Sequence, residues 1–191
     1  MDIGFFESIL RGEMRKGVER ERKIVRLDPF EELVCSLEFR RNLNREELEG
    51  LVKGLDVREE DVDKYCAGNE NKVARKVSAK NGLLECAVCG WPPVADVFSI
   101  VQGRGSEVLR VWSGKILLTE YYYVRGRMEP YCVAELNSGS VVGLPPAVVY
   151  RMENKGKGVL RTLHFLSPPP KSLPSSEGIR NFCGHGDVSI V

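Results

Sequence analysis

Cys86 and Cys89 are separated by two residues and followed by Gly90, which is the spacing of a zinc knuckle. In such a turn, the two thiolates come close enough to bind one ion at about 2.3 Å. A glycine after the second cysteine lets the backbone turn with a positive φ, so that amide groups can point at the thiolates. The spacing therefore predicts one half of a tetrahedral metal site.

A second compact pair near the C-terminus, Cys183 and His185, offers the other half of such a site. One imidazole and three thiolates make a Cys3His set, which is a standard combination for structural zinc. We therefore predict one Zn2+ ion bound by Cys86, Cys89, Cys183 and His185. The alternative ligands are Cys66, Cys132 and His164.

The composition is that of a globular protein. Of 191 residues, 42% are hydrophobic and 29% are charged, and the net charge is only +1, which excludes a histone-like polycation. No apolar run reaches the roughly 18 residues that a membrane span needs. Six cysteines without a secretory signal predict reduced thiols, so we expect a cytoplasmic or nuclear protein that is not secreted.

Residues 1–81 are predicted to form a helical unit for self-association or partner contact. An apolar stripe with a spacing of four runs along the first helix, at Phe6, Leu10, Met14 and Val18. Asp28 is the expected N-cap of a second helix, and Asn44 with Glu47 has the pattern of a capping box that opens a third. A fourth helix follows, and residues 71–80 are predicted to continue as a short basic helix.

After Gly82 the period of the apolar residues changes to two, which is typical of strands. Residues 82–166 are therefore predicted to form an antiparallel β unit that begins with the zinc knuckle. Three consecutive prolines in residues 167–191 predict an extended strap, which carries the C-terminal zinc ligands back to the body. The predicted fold class is α+β, with an N-terminal helical unit followed by an antiparallel β meander or small barrel, closed by a zinc site.

Basic and aromatic side chains predict a surface for RNA or single-stranded nucleic acid. Four cations between residues 72 and 80 would lie on one side of a helix, and two arginines flank a turn that follows three consecutive tyrosines. Aromatic rings can stack on unpaired bases while basic side chains hold phosphates. The candidate nucleic-acid-binding residues are Lys72, Arg75, Lys76, Lys80, Arg125 and Arg127.

The leading interpretation is a zinc-binding regulatory or accessory protein that binds RNA, contacts a protein partner through its N-terminal helices and can form a homo-oligomer. One alternative is a papain-like cysteine peptidase, because Cys89 precedes His164 in the order of nucleophile and base. Gly90 and two prolines then follow Cys89, where those enzymes place an aromatic residue at a helix start, so a non-enzymatic protein is favoured. The other alternative is a protein-interaction adaptor with a purely structural zinc site.

Overall fold

Two antiparallel sheets and three short helices make up the described part of the chain. The structure is a computed structural model. It describes residues 26–40, 43–66, 73–100, 105–125, 127–146 and 148–170. No helix within these ranges is long and apolar enough to cross a membrane.

The three helices are α1 (Pro29–Ser36), α2 (Arg45–Gly54) and α3 (Glu59–Cys66). Their predicted caps are confirmed. The Asp28 side chain accepts a hydrogen bond from the backbone N–H of Phe30, and Asn44 and Glu47 form a reciprocal capping box. Such caps satisfy backbone N–H groups that have no partner inside the helix. The predicted stripe from Phe6 to Val18 lies outside the described residues.

The described strands are β1 (Ala74–Lys80), β2 (Glu85–Trp91), β3 (Asp96–Ile100), β4 (Ser106–Ser113), β5 (Lys115–Val124), β6 (Arg127–Asn137), β7 (Val141–Leu144), β8 (Val149–Asn154) and β9 (Leu160–Ser167). A five-stranded sheet has the order β1-β2-β9-β4-β7, and a four-stranded sheet has the order β3-β8-β5-β6. Every ladder between them is antiparallel.

The predicted meander is wrong. In a meander each strand pairs with the next one along the chain, but among the described strands only β1–β2 and β5–β6 do so. The last strand, β9, lies in the middle of the five-stranded sheet, between β2 and β4. Gly114, with a φ of +93°, is the corner at which the chain leaves β4 for the other sheet. The chain therefore forms a double sheet in which most strand pairs are distant in sequence.

The basic helix predicted for residues 71–80 is also wrong, because Ala74–Lys80 is strand β1. This strand pairs with β2 in antiparallel register, with Val77 opposite Ala87. Pairing with a neighbouring strand has overridden a weak local preference for helix. A domain boundary after residue 81 would separate these two paired strands, so the β unit includes β1.

Two apolar cores lie on opposite faces of the five-stranded sheet. The first is between this sheet and the helices, and it contains Phe30, Leu48 and Phe165. The second is between the two sheets, and it contains Trp91 and Tyr150. Each helix has residues in the first core, so the apolar faces of α1, α2 and α3 are used inside the molecule.

Candidate ligand site between the two sheets

Cys86 and Cys89 do not form a zinc knuckle. Both are fully buried within β2, and side chains three residues apart on a strand point to opposite faces. Cys86 packs in the core beneath the helices, whereas Cys89 packs between the two sheets. The predicted partners Cys183 and His185 lie outside the described residues. The two described cysteines cannot share one ion, so the prediction that a zinc site closes the fold is wrong.

The alternative thiol ligands lie in separate places. Cys66 is at the end of α3, and Cys132 is exposed on β6. Burial raises the pKa of both the Cys66 and the Cys86 thiol, which favours the neutral thiol over the thiolate that binds metals. Within the described ranges, no group of three or more histidine, cysteine or acidic side chains is placed to hold a metal ion.

The predicted basic face for RNA is not formed either. Arg75 and Lys76 are neighbours on a strand and therefore point to opposite faces. Arg75 and Lys80 both form ion pairs with the buried Glu85 carboxylate, which offsets part of their charge. Lys72 lies outside the described residues, while Arg125 and Arg127 are exposed at the turn between β5 and β6. The predicted function of a zinc-dependent RNA-binding regulator is therefore wrong.

The peptidase alternative fails on access. The structure does bring Cys89 close to His164, as a nucleophile and its base would require. However, Cys89 has no exposed surface, and it lies on a strand between two packed sheets. A polypeptide substrate cannot reach a thiol in that position. The adaptor alternative loses its structural zinc site for the reason given above.

His164 is the centre of a buried polar cluster on the inner face of the five-stranded sheet. Its Nδ1 atom is 2.8 Å from Oε1 of Glu107, and its Nε2 atom is 2.9 Å from Oγ1 of Thr162. The indole N–H of Trp91 donates to the same Thr162 oxygen at 2.7 Å. Both ring nitrogens of His164 are thus engaged by other side chains.

Strand pairing explains why these residues meet. On β9, His164 lies opposite Ala87 of β2 on one side and Leu109 of β4 on the other. Glu107 is two residues before Leu109, so its side chain points to the same face and reaches the imidazole. The small side chain of Ala87 leaves room for the ring. The ladder therefore places the carboxylate on the ring nitrogen without any local sequence motif.

The surroundings of His164 favour its positively charged form. Burial alone would lower the pKa of the imidazole, but the Cys89 sulfur beside the ring and the Glu107 carboxylate raise it to about 10. With both nitrogens protonated, one N–H donates to Glu107 and the other to Thr162. At neutral pH the site therefore contains an imidazolium paired with a carboxylate.

Tyr150 connects the four-stranded sheet to this cluster. It is fully buried, and its hydroxyl group donates to the carbonyl oxygen of Pro145 at 2.8 Å. Burial raises the pKa of Tyr150, and the Glu120 and Glu107 carboxylates and the Tyr122 phenol raise it further. Glu120 lies opposite Tyr150 on β5, so groups from both sheets converge on one point.

The cluster is fully buried at Trp91 and Thr162 and slightly exposed at Glu107 and His164. Trp91 and Thr162 have no exposed surface, whereas the side chains of Glu107 and His164 keep 7% and 6% of theirs. One oxygen of Glu107 is bound to the imidazole, and no described residue donates a hydrogen bond to the other, Oε2. Tyr122, two residues beyond Glu120, is 42% exposed. A small molecule that approached from this end could donate a hydrogen bond to Oε2 of Glu107.

The other end of the sandwich is closed. The side-chain amide of Asn154 donates to the carbonyl oxygens of Trp91 and Pro92 at 3.0 Å and to that of Gly158 at 2.9 Å. These three bonds hold the end of β2 against the loop that leads to β9. Among the described residues, these contacts close the end of the sandwich that is opposite Glu107.

Sequence reasoning found only one member of this cluster. It named His164 as an alternative metal ligand and as the base of a peptidase, and it did not connect it with Glu107, Thr162 or Tyr150. A usable signal is present in β4, where Glu107 is in phase with Leu109 and Val111, both fully buried. A carboxylate at a position that alternation assigns to the buried, apolar face of a strand must be paired with another group or must contact a ligand.

No protein-family model matches the chain, and no curated protein matches it. Several solved structures are similar in shape. An uncharacterized conserved protein with a double-stranded β-helix domain from Klebsiella pneumoniae has 21% identity and a TM-score of 0.47, covering 61% of this chain and 95% of its own. The Cnp3 cupin domain of Schizosaccharomyces pombe has 15% identity and a TM-score of 0.45, and the match covers 55% of this chain and 67% of that domain's chain. KdgF from Halomonas sp. has 14% identity and a TM-score of 0.42, and the match covers 55% of this chain and 86% of the KdgF chain.

The double antiparallel sheet is established by the strand order of the chain itself. Whether a metal ion fits the cluster can be judged from its donors. Among the described residues, no further histidine, cysteine or acidic side chain joins His164 and Glu107 to make a group of three that could hold an ion. The described residues around His164 therefore do not fit a metal centre.

A second concave feature lies elsewhere on the surface. It is a depression of about 330 Å³ lined by Glu38, Arg40, Asn81, Gly82 and Leu83. None of these residues belongs to the buried cluster around His164. The chemistry therefore points to the space between the sheets, and not to this depression.

Proposed function

We propose that the protein binds a small polar molecule between its two sheets, at Glu107, His164 and Tyr150. The observation that carries the proposal is the Oε2 atom of Glu107, which accepts no hydrogen bond from the described residues, on a side chain that is more than nine-tenths buried. Ligand sites are mostly apolar, with a few polar groups that converge to fix the ligand. The inter-sheet core has this composition, because its polar cluster is surrounded by apolar side chains.

The charges of the cluster support the same proposal. Burying a carboxylate and an imidazolium costs several kcal/mol per ion, and apolar residues of similar volume are often at least as stable. Ligand sites are a common setting in which such groups are retained, since they supply orientation and specificity. The partial exposure of Glu107 and His164 adds the access that a ligand requires.

A blocking substitution tests the proposal without assuming the charge of the ligand. Glu120→Trp places an indole at the open end, and we expect it to abolish the binding of small molecules between the sheets. The measurement is saturation-transfer NMR with a fixed set of low-molecular-mass amines, carboxylates and alcohols, on the full chain and on the variant. The matched control is Glu38→Trp, because Glu38 is exposed and belongs to the separate depression.

The proposal requires that at least one compound binds the wild type and the Glu38→Trp control and loses its signal with Glu120→Trp. A set in which no compound binds the wild type would contradict it. Signals that persist unchanged in Glu120→Trp would contradict it as well, because the compounds would then be bound elsewhere.

A further inference from the structure

We infer that the ligand of this site is a small organic cation of the ammonium class. The inference rests on the proposed function and adds the charge and chemical class of the ligand. Three features carry it: an oxygen of Glu107 that no described residue contacts, an excess of carboxylates over the imidazolium, and an aromatic pair beyond Glu120.

The free oxygen selects for a hydrogen-bond donor or a positive charge. An ionised carboxylate can only accept hydrogen bonds, and Oε2 of Glu107 has no donor among the described residues. A cation that reached this atom would form a charge-assisted contact with it, and such contacts are stronger than those between neutral groups. A carboxylate or phosphate ligand would instead meet like charge.

The charges of the site do not cancel. Glu107 and Glu120 contribute two carboxylates, both close enough to act on Tyr150, whereas His164 contributes one imidazolium. Arg45 also acts on Tyr150, but its guanidinium is paired with two glutamates of its own helix, Glu46 and Glu49. The two carboxylates therefore outnumber the imidazolium, and a cationic ligand would offset this excess.

The entrance carries aromatic rings in a geometry that suits a cation. Tyr122 on β5 lies on the same strand face as Glu120, about 7 Å further along the strand. Its ring meets that of Tyr131 on β6 edge to face, with the centroids 4.7 Å apart and an interplanar angle of 71°. Both side chains are exposed, at 42% and 69%. Rings set at a steep angle present the electron-rich faces that bind ammonium groups.

The test compares two probes of the same shape that differ in charge. Choline carries a quaternary ammonium group, and 3,3-dimethylbutan-1-ol replaces its nitrogen with carbon. We expect choline to shift the amide resonances of Glu107, Glu120 and Tyr150 in a titration of the full chain followed by 1H–15N NMR. The neutral alcohol is expected to bind at least tenfold more weakly.

Two variants locate the effect. Glu120→Gln keeps the size of the side chain and removes its charge, and it is expected to weaken choline binding at least tenfold. Tyr131→Leu is expected to weaken it several-fold. Glu38→Gln, which removes an exposed charge of the separate depression, is the matched control and should leave the affinity unchanged.

The outcomes separate this inference from the proposed function. If choline and the alcohol bound with equal affinity, as judged from these resonances, the assignment of a cationic ligand would be overturned. The proposal of a ligand site between the sheets would stand. Binding of acetate in preference to choline would have the same two consequences. If choline bound with the same affinity to Glu120→Gln as to the wild type, the inference would also be overturned. If every probe failed to shift these resonances, both statements would be contradicted.

Discussion

Replacing Glu107 with alanine should lower the free energy of unfolding by about 3–5 kcal/mol, since it leaves the buried imidazolium of His164 without its partner. The 2.8 Å contact between Glu107 and His164 joins two side chains that are both more than nine-tenths buried. Chemical denaturation at neutral pH measures the loss. Replacing both residues with leucine should recover much of it, because neither charge then remains buried.

An exposed ion pair provides the control for this prediction. Lys115 and Glu135 are 2.8 Å apart, but their side chains are 45% and 52% exposed. Glu135→Ala should therefore cost no more than about 1 kcal/mol. If Glu107→Ala were as mild as Glu135→Ala, the buried pair would not have the role that its geometry implies.

Replacing Phe30 with alanine is the second substitution with a large expected effect, again about 3–5 kcal/mol. Phe30 is fully buried in α1, and its ring lies 6.0 Å from that of Tyr65 and 6.4 Å from that of Phe165 on β9. It therefore joins two helices to the centre of the five-stranded sheet. We expect one cooperative transition, shifted to lower denaturant, when unfolding is followed by far-UV circular dichroism and by tryptophan fluorescence.

Phe39→Ala is a matched control, because the same ring is removed from a side chain that is 95% exposed. Its effect should stay within about 0.5 kcal/mol. Two separate transitions in Phe30→Ala, with the helices lost before the sheets, would show that the helices form a unit of their own. That outcome would contradict the shared core described above.

Local signals in the sequence were sufficient for the helices and for most strands. The caps at Asp28 and Asn44 are decided within three residues of the chain, so they could be read directly. The period of two after Gly82 also indicated correctly that strands follow this residue. The pairing of β9 between β2 and β4 could not be found in this way, because alternation shows which face is buried but does not identify the neighbouring strand.

The candidate site was missed for the same reason. Two cysteines with CxxC spacing can bind one ion when they lie in a turn, but they point to opposite faces when they lie in a strand. Here they lie in a strand, because β2 pairs with β1 on one side and with β9 on the other. Cys86 and Cys89 were thereby turned to opposite faces. His164 and Glu107 are 57 residues apart and meet only because β4 and β9 are neighbours. A site assembled from neighbouring strands depends on topology, which the sequence pattern did not reveal.

The protonation state of His164 tests the central claim most directly, namely that a charged imidazolium is paired with Glu107 between the sheets. The chain has only two histidines, so the variant His185→Gln leaves a single imidazole whose ring nitrogens can be followed by 15N NMR. Between about pH 6 and pH 9 we expect both ring nitrogens to remain protonated, since the pKa is raised to about 10. A midpoint near 6.5, the ordinary value for histidine, would contradict the account.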